Sequence, residues 1–387
     1  MARAAGVSIA TVSRVLNDSP RVTEETRRRV RDTAVQLDYW PNSAARSLTT
    51  SRHHVLGVLL PDLHGSFFSE IIRGMDHGAR DRGFQILISS SHADADAIVA
   101  AVRAMRGRID GLIAMIPDRL SLEGLQGITH RFPVVLLNPH RPMEGCSVLR
   151  IANAEGAHAV VSHLLALGRR PVAILRGPAD NVDAEERLNG YRAALRDAGL
   201  QPSEDLEFDG DFTESSGYAA AAAIAARRPV PAAVFAANDN MAIGLLSALR
   251  EAGVEVPGDM AVAGFDDARM ARYVSPPLTT VHIDAYELGR SAVKILFDAL
   301  LFPKGAPCHE VLPATLVVRA SCGGKNAGIE AAGPASRGGR GGTSLLAHPA
   351  RSERTPRRRA RKKNRESDGT ISRGPVDPTR LATTGRH

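Results

Sequence analysis

The chain is poor in cysteine, has no long apolar run, and lacks the loops that usually carry catalysis. Its three cysteines, Cys146, Cys308 and Cys322, are an odd number without the spacing of a metal site. They read as reduced thiols of a cytosolic protein. No stretch approaches membrane-spanning length, and no apolar run follows the first basic residues as a secretory signal requires. No Gly-x-Gly-x-x-Gly follows the first predicted strand, and neither a Walker loop nor a nucleophile elbow is present. The 13 histidines give no metal-ligand pair at helical spacing with a third acidic partner. Enzymatic chemistry, a cofactor and a metal are therefore not expected.

What the chain does have is an uneven charge. Of the net +7 over 387 residues, residues 1–52 carry +4 and residues 323–387 carry +10, which leaves residues 53–322 at −7. The length suffices for two or three domains with cores of their own. A basic head on an acidic body fits a nucleic-acid contact confined to the head. The tail past Gly323 loses periodicity and fills with Gly, Ser, Pro and Arg, so it cannot bury enough apolar surface to order itself. It reads as a solvated, dispensable tail; non-specific DNA affinity is the alternative.

Residues 5–17, Ala-Gly-Val-Ser-Ile-Ala-Thr-Val-Ser-Arg-Val-Leu-Asn, read as the turn and second helix of a helix-turn-helix. Gly6 suits the tight turn and Ser8 can cap the helix through an amide near Thr11. Val12, Val15 and Leu16 form an apolar stripe that leaves Ile9, Ala10, Ser13, Arg14 and Asn17 outward. A small helical hairpin without a DNA role is the bland alternative. Thr23, with Glu24 and Glu25 behind it, caps a further helix, whose Val30, Ala34 and Leu37 are expected to pack back on the others. Pro41 closes this unit. Residues 42–49 then form either a disordered linker or a two-turn helix that folds only on DNA or a partner.

From Val55 short apolar runs alternate with amphipathic stretches. Val55–Leu60, Phe84–Ile88, Leu112–Met115, Val134–Leu137, Val172–Leu175, Ala233–Ala236 and Ala261–Phe265 read as strands. Phe67–Arg82, Gly156–Leu167, Ala184–Ala198 and Met241–Ala252 read as helices between them. This alternation builds parallel sheets from βαβ units, enough for two sheets with a junction near residues 152–156.

In open α/β sheets ligands bind beyond the carboxyl ends of the strands. Asp62, Asn138, the pair Asn238 and Asp239, and the pair Asp266 and Asp267 all follow predicted strands. Carboxylates and amides converging there can pair with the adjacent hydroxyls of a sugar-like ligand, with Arg187 as a charged donor and Phe212 as a stacking face. Taken singly, each Asx residue reads as a helix cap or turn former; four strand ends together favour a site.

These pieces resemble the LacI/GalR family of bacterial transcription regulators over residues 2–322. The resemblance rests on residues 5–17, on Tyr39-Trp40-Pro41-Asn42 and on Ala45-Arg46-Ser47-Leu48. It rests further on residues 237–242, Gly264-Phe265-Asp266-Asp267, Pro277-Leu278-Thr279-Thr280 and Leu316-Val317-Val318-Arg319. It implies a small all-α helix-turn-helix head (1–40), a hinge helix or linker (41–52) and an α/β, two-lobed body resembling periplasmic binding proteins (53–322). Residues 323–387 have no counterpart.

The resemblance also implies a homodimer, or a tetramer, on double-stranded operator DNA, controlled by a small sugar-like effector, with no membrane partner. Ser8, Ile9, Ala10, Thr11, Ser13, Arg14 and Asn17 fall on the DNA-reading helix, and Arg46 and Leu48 on the hinge, where Leu48 wedges into the minor groove. Asp62, Phe67, Asn138, Arg187, Phe212, Asn238 and Asp266 fall on or beside effector positions. The rival readings are a transport sugar-binding protein and a cytosolic α/β enzyme. Ala152 stands where the family usually has Asp, and Gly65-Ser66 where it has Asn-Pro, so ligand identity does not carry over. Met1 falls where the family commonly has Val, and the first helix is short by several residues, so a start upstream is expected.

Overall fold

A computed structural model describes residues 1–16, 19–39, 52–91, 94–116 and 132–324. Asn17, Arg46, Leu48, most of the hinge and the tail beyond residue 324 lie outside the described residues.

The head opens on a single hydrogen-bonded turn, in which Ala5 N–H donates to the Met1 carbonyl at 2.9 Å. Gly6 leaves that turn at φ +62°, a conformation only glycine adopts cheaply. Helix α1 (Ile9–Leu16) follows, capped by Ser8, whose Oγ accepts the Thr11 N–H at 3.1 Å. Helix α2 (Glu24–Gln36) is capped by Thr23 as its sequence implies. Ala5, Val12, Val15 and Val30 make a small core. Leu37 does not join it: it is 51% exposed, and Thr33 takes the inward place on the last turns of α2. The apolar face of α2 therefore ends a turn earlier than its leucine suggests.

The body has two lobes. The first is built from β1 (Val55–Leu60), α3 (Gly65–Arg80), β2 (Gln85–Ser90), α4 (Ala95–Met105), β3 (Gly111–Ala114), β4 (Val134–Leu137) and β5 (Ser147–Ile151). The second holds α5 (Asn153–Ala166), β6 (Val172–Arg176), α6 (Val182–Asp197), β7 (Glu207–Asp209), α7 (Glu214–Ala226), β8 (Ala233–Ala236), α8 (Asp239–Glu251), β9 (Ala261–Ala263) and β10 (Thr280–His282). The chain then returns to the first lobe with α9 (Ala285–Leu301) and β11 (His309–Leu312), and closes in the second with β12 (Thr315–Val317).

The first sheet runs β11-β5-β4-β3-β1-β2 and the second β7-β6-β8-β9, every neighbour parallel, while β10 and β12 form an antiparallel ribbon. Both faces of such sheets are covered by helices, which is why β3, β4, β8 and β9 are buried at every position. The expected junction near residue 152 is present, but the chain crosses between lobes three times, again near residues 283–285 and 312–315. Periodicity marks the buried stripe of α9 (Leu288, Val293, Leu296) without naming the lobe it covers. Shape decides that: α9 packs on α3 with backbones almost touching, since a Cβ at Gly74 would lie 2.0 Å from the Tyr286 carbonyl oxygen. Three crossings leave the carboxyl ends of both sheets facing one another across a cleft.

Candidate functional site

That cleft encloses about 370 Å³, at the small end of the range for small-molecule sites. A hollow of about 780 Å³ lies at the opposite, amino-terminal ends of the first-lobe strands, among Pro133, Cys146, Lys294 and Phe302. Ligands of open α/β sheets sit beyond strand carboxyl ends, so the smaller cleft is the candidate.

Asp62, Phe67, Arg187, Phe212, Asn238 and Asp266, expected from the sequence, all line it. Asp62 and Phe67 come from the first lobe and the other four from the second. Asn238 caps α8 by accepting the Met241 N–H at 3.0 Å and donates through Nδ2 to the Phe212 carbonyl at 2.9 Å. That bond holds Phe212 in a left-handed conformation, φ +69°, with its ring against Gly177, where no side chain would fit.

Arg187 is 3% exposed and its charge is shared inside the protein. Nε donates to Asn153 Oδ1 at 2.9 Å, one terminal nitrogen donates to the Ala237 carbonyl at 2.6 Å, and the other lies 3.1 Å from Asp266 Oδ1. Its guanidinium also stacks over Phe265 at 3.9 Å. The approach to Asp266 is an ion pair without hydrogen-bond geometry, so Asp266 Oδ1 is a buried acceptor with no hydrogen-bond donor among the described residues. Burial pushes the Asp266 carboxyl up to about 6, with Arg187 opposing the shift. Asp239, expected beside it, points away from the cleft as a fully buried carboxyl that accepts from Thr280 Oγ1 and the Ala268 N–H, both at 2.6 Å. Burial, and then the nearby Asp266, hold it well above the ordinary carboxylate range.

Asn138 corrects the sequence reading. It does not line the cleft but lies behind it, 4% exposed, in a buried network between the lobes. Its Nδ2 donates to Asp183 Oδ1 at 2.6 Å, and Asn153 Nδ2 donates to the same oxygen at 2.8 Å and to Glu186 Oε2 at 2.9 Å. Arg150 of β5 reaches Glu186 at 3.3 Å. Sequence reasoning missed Asp183, Glu186 and Asn153. The signal was available: positions 183, 186 and 187 share one face of α6, and charged residues so placed within a buried stripe must be paired.

On the head, Ile9 is 80% exposed, and Ala10, Ser13 and Arg14 also face outward, while Thr11 is half-buried and Ser8 is taken up in the cap. No helix among the described residues is long and apolar enough to cross a membrane.

Residues 1–42 match the model of bacterial regulatory proteins of the lacI family, and residues 161–322 match that of the periplasmic binding protein-like domain. The ribose operon repressor of Escherichia coli (strain K12) is 34% identical over 307 residues, covering 78% of this chain and 92% of the relative. The chain belongs to the LacI family. A solved lac repressor dimer bound to operator and the anti-inducer ONPF is 29% identical, with a TM-score of 0.74 over 83% of this chain and 97% of that one. A complex of the transcriptional regulator CelR with cellobiose is 32% identical, with a TM-score of 0.65 over 83% and 98%. As a LacI-family chain, this protein combines the helix-turn-helix head with the two-lobed α/β body expected of it.

Proposed function

We propose that this protein is a cytoplasmic, dimeric, sequence-specific repressor whose grip on a near-palindromic operator is set by a sugar-class effector in the interlobe cleft. One observation carries the reading: a single chain joins an exposed, capped helix to a cleft whose polar walls come from both lobes. Arg14, with Ile9 and Ala10, reads base edges in the major groove, the apolar pair meeting thymine methyls. Ser8, Thr11, Ser13, Asn17 and Arg46 position the head on phosphates, and Leu48 enters the minor groove. An effector touching Asp62 and Phe67 on one side and Arg187, Asn238 and Asp266 on the other is fully satisfied only when the lobes close, so it shifts the population of closed lobes. That shift reaches the hinge because Asp110 of the first lobe binds the chain where the hinge enters it, accepting the His53 and His54 N–H at 2.8 and 2.6 Å. The relatives support this: one regulates a ribose operon, one was solved with cellobiose, and one with operator DNA.

Fluorescence anisotropy with DNA from upstream of its own gene tests the proposal. Binding is expected to pick out a palindrome, to weaken with salt, and to change by at least about fivefold with a cognate sugar, as a coupling of about 1–3 kcal/mol requires. Binding indifferent to sequence would overturn it.

A further inference from the structure

The walls of the cleft are rich in acceptors and short of uncommitted positive charge. Five carboxylates line it, from Asp62, Asp183, Asp211, Glu214 and Asp266, against the guanidinium of Arg187. The other basic group on the lining, His64, sits at the mouth with a 93% exposed side chain, 3.0 Å from Asp62. Arg187 has its three nitrogens directed at Asn153, Ala237 and Asp266, so the charge it brings to the cleft is already engaged. Asp266 adds a buried oxygen with no hydrogen-bond partner, a group that costs free energy until a donor reaches it. Phe67, Phe68 and Phe212 supply flat apolar faces beside these acceptors.

Such a wall rewards ligands that bring O–H or N–H groups and penalises those that bring further negative charge, because a cleft lined by charges of one sign focuses their field on whatever enters it. We propose, resting on the effector-cleft reading above, that the effector is a donor-rich, non-anionic sugar, neutral or amine-bearing, and that the cleft rejects phosphorylated and acidic sugars. Neutral and aminated sugars share the chemistry that matters here, hydrogen-bond donors without added negative charge.

Calorimetry on the full-length protein without DNA tests this with matched sets: D-ribose and ribose 5-phosphate; D-glucose, D-glucosamine, glucose 6-phosphate and D-glucuronate; and cellobiose. The expected result is binding by at least one neutral or aminated sugar, with its anionic counterpart at least about tenfold weaker. Glu214→Lys, on the exposed wall, is expected to narrow that gap. An anionic sugar that binds more tightly than its parent overturns the inference; so does silence from every neutral and aminated sugar, or a gap that Glu214→Lys leaves unchanged. Operator binding measured in parallel separates the two readings. A neutral sugar that binds but leaves operator affinity untouched defeats the regulatory reading alone. An anionic sugar that binds and shifts operator affinity defeats this inference alone.

Discussion

Asn153 Oδ1 accepts a hydrogen bond from Arg187 Nε at 2.9 Å, at the point where the chain first crosses from one lobe to the other. The same amide gives its Nδ2 hydrogens to Asp183 and Glu186, so one buried residue satisfies a cation and two carboxylates. Asn153→Ala leaves all three short of a partner. A loss of about 3 kcal/mol of unfolding free energy is expected, since charged buried groups lose more than neutral ones when orphaned. Denaturant melts check it; a loss under about 1 kcal/mol would mean that water replaces the amide at little cost.

Asp266 makes stability depend on pH. An unfolded Asp releases its proton near 3.8, whereas burial, opposed by Arg187, keeps the folded carboxyl protonated to about 6. The unfolded chain therefore ionises first, and stability drains away as pH rises through that window, by about 3 kcal/mol at neutral pH. Asp266→Asn does not titrate. Its stability relative to the parent is expected to climb between about pH 4 and pH 6 and to level off above. Melts across that range decide the matter, and a flat difference would refute the assignment.

Asp110 holds the first residues of the body, just after the proposed hinge, by accepting two backbone N–H groups, His53 at 2.8 Å and His54 at 2.6 Å. Asp110→Ala is expected to leave effector affinity within about twofold while cutting the effector's influence on operator affinity several-fold, because the cleft is distant from these bonds. Paired calorimetry and anisotropy measure both quantities. An unchanged influence would show that closure reaches the hinge by another route.

Arg14→Ala is expected to cost about 1–3 kcal/mol of operator affinity and to relax specificity at one base pair in each half-site. Leu48→Ala is expected to weaken binding and reduce the bend in the DNA. Anisotropy on the operator and its single-base variants tests both. Uniform weakening across every sequence by Arg14→Ala would reassign that residue to a phosphate.

Much of the layout was legible in the sequence because local rules govern it. The runs Val55–Leu60, Val134–Leu137 and Ala233–Ala236 are strands to the residue, since a parallel strand covered on both faces must be apolar throughout. Ser8 and Thr23 cap their helices because an unpaired N–H needs a nearby oxygen. Leu37 was misjudged for the converse reason: helical spacing shows which face a residue shares, not how far along the helix a neighbour covers it.

The sequence by itself marked seven of the strands, four helices of the body and the family, and it named six residues that line the cleft, because strand ends and turns place polar groups by local geometry. Only the tertiary structure decided that α9 and β11 return to the first lobe, and that Asn138 serves a buried network instead of the cleft wall. The same holds for Asp183, Glu186 and Asn153, which matter through one another. These outcomes depend on contacts between residues far apart in the chain, where the cost of an unpaired buried charge, not any local preference, selects the partner.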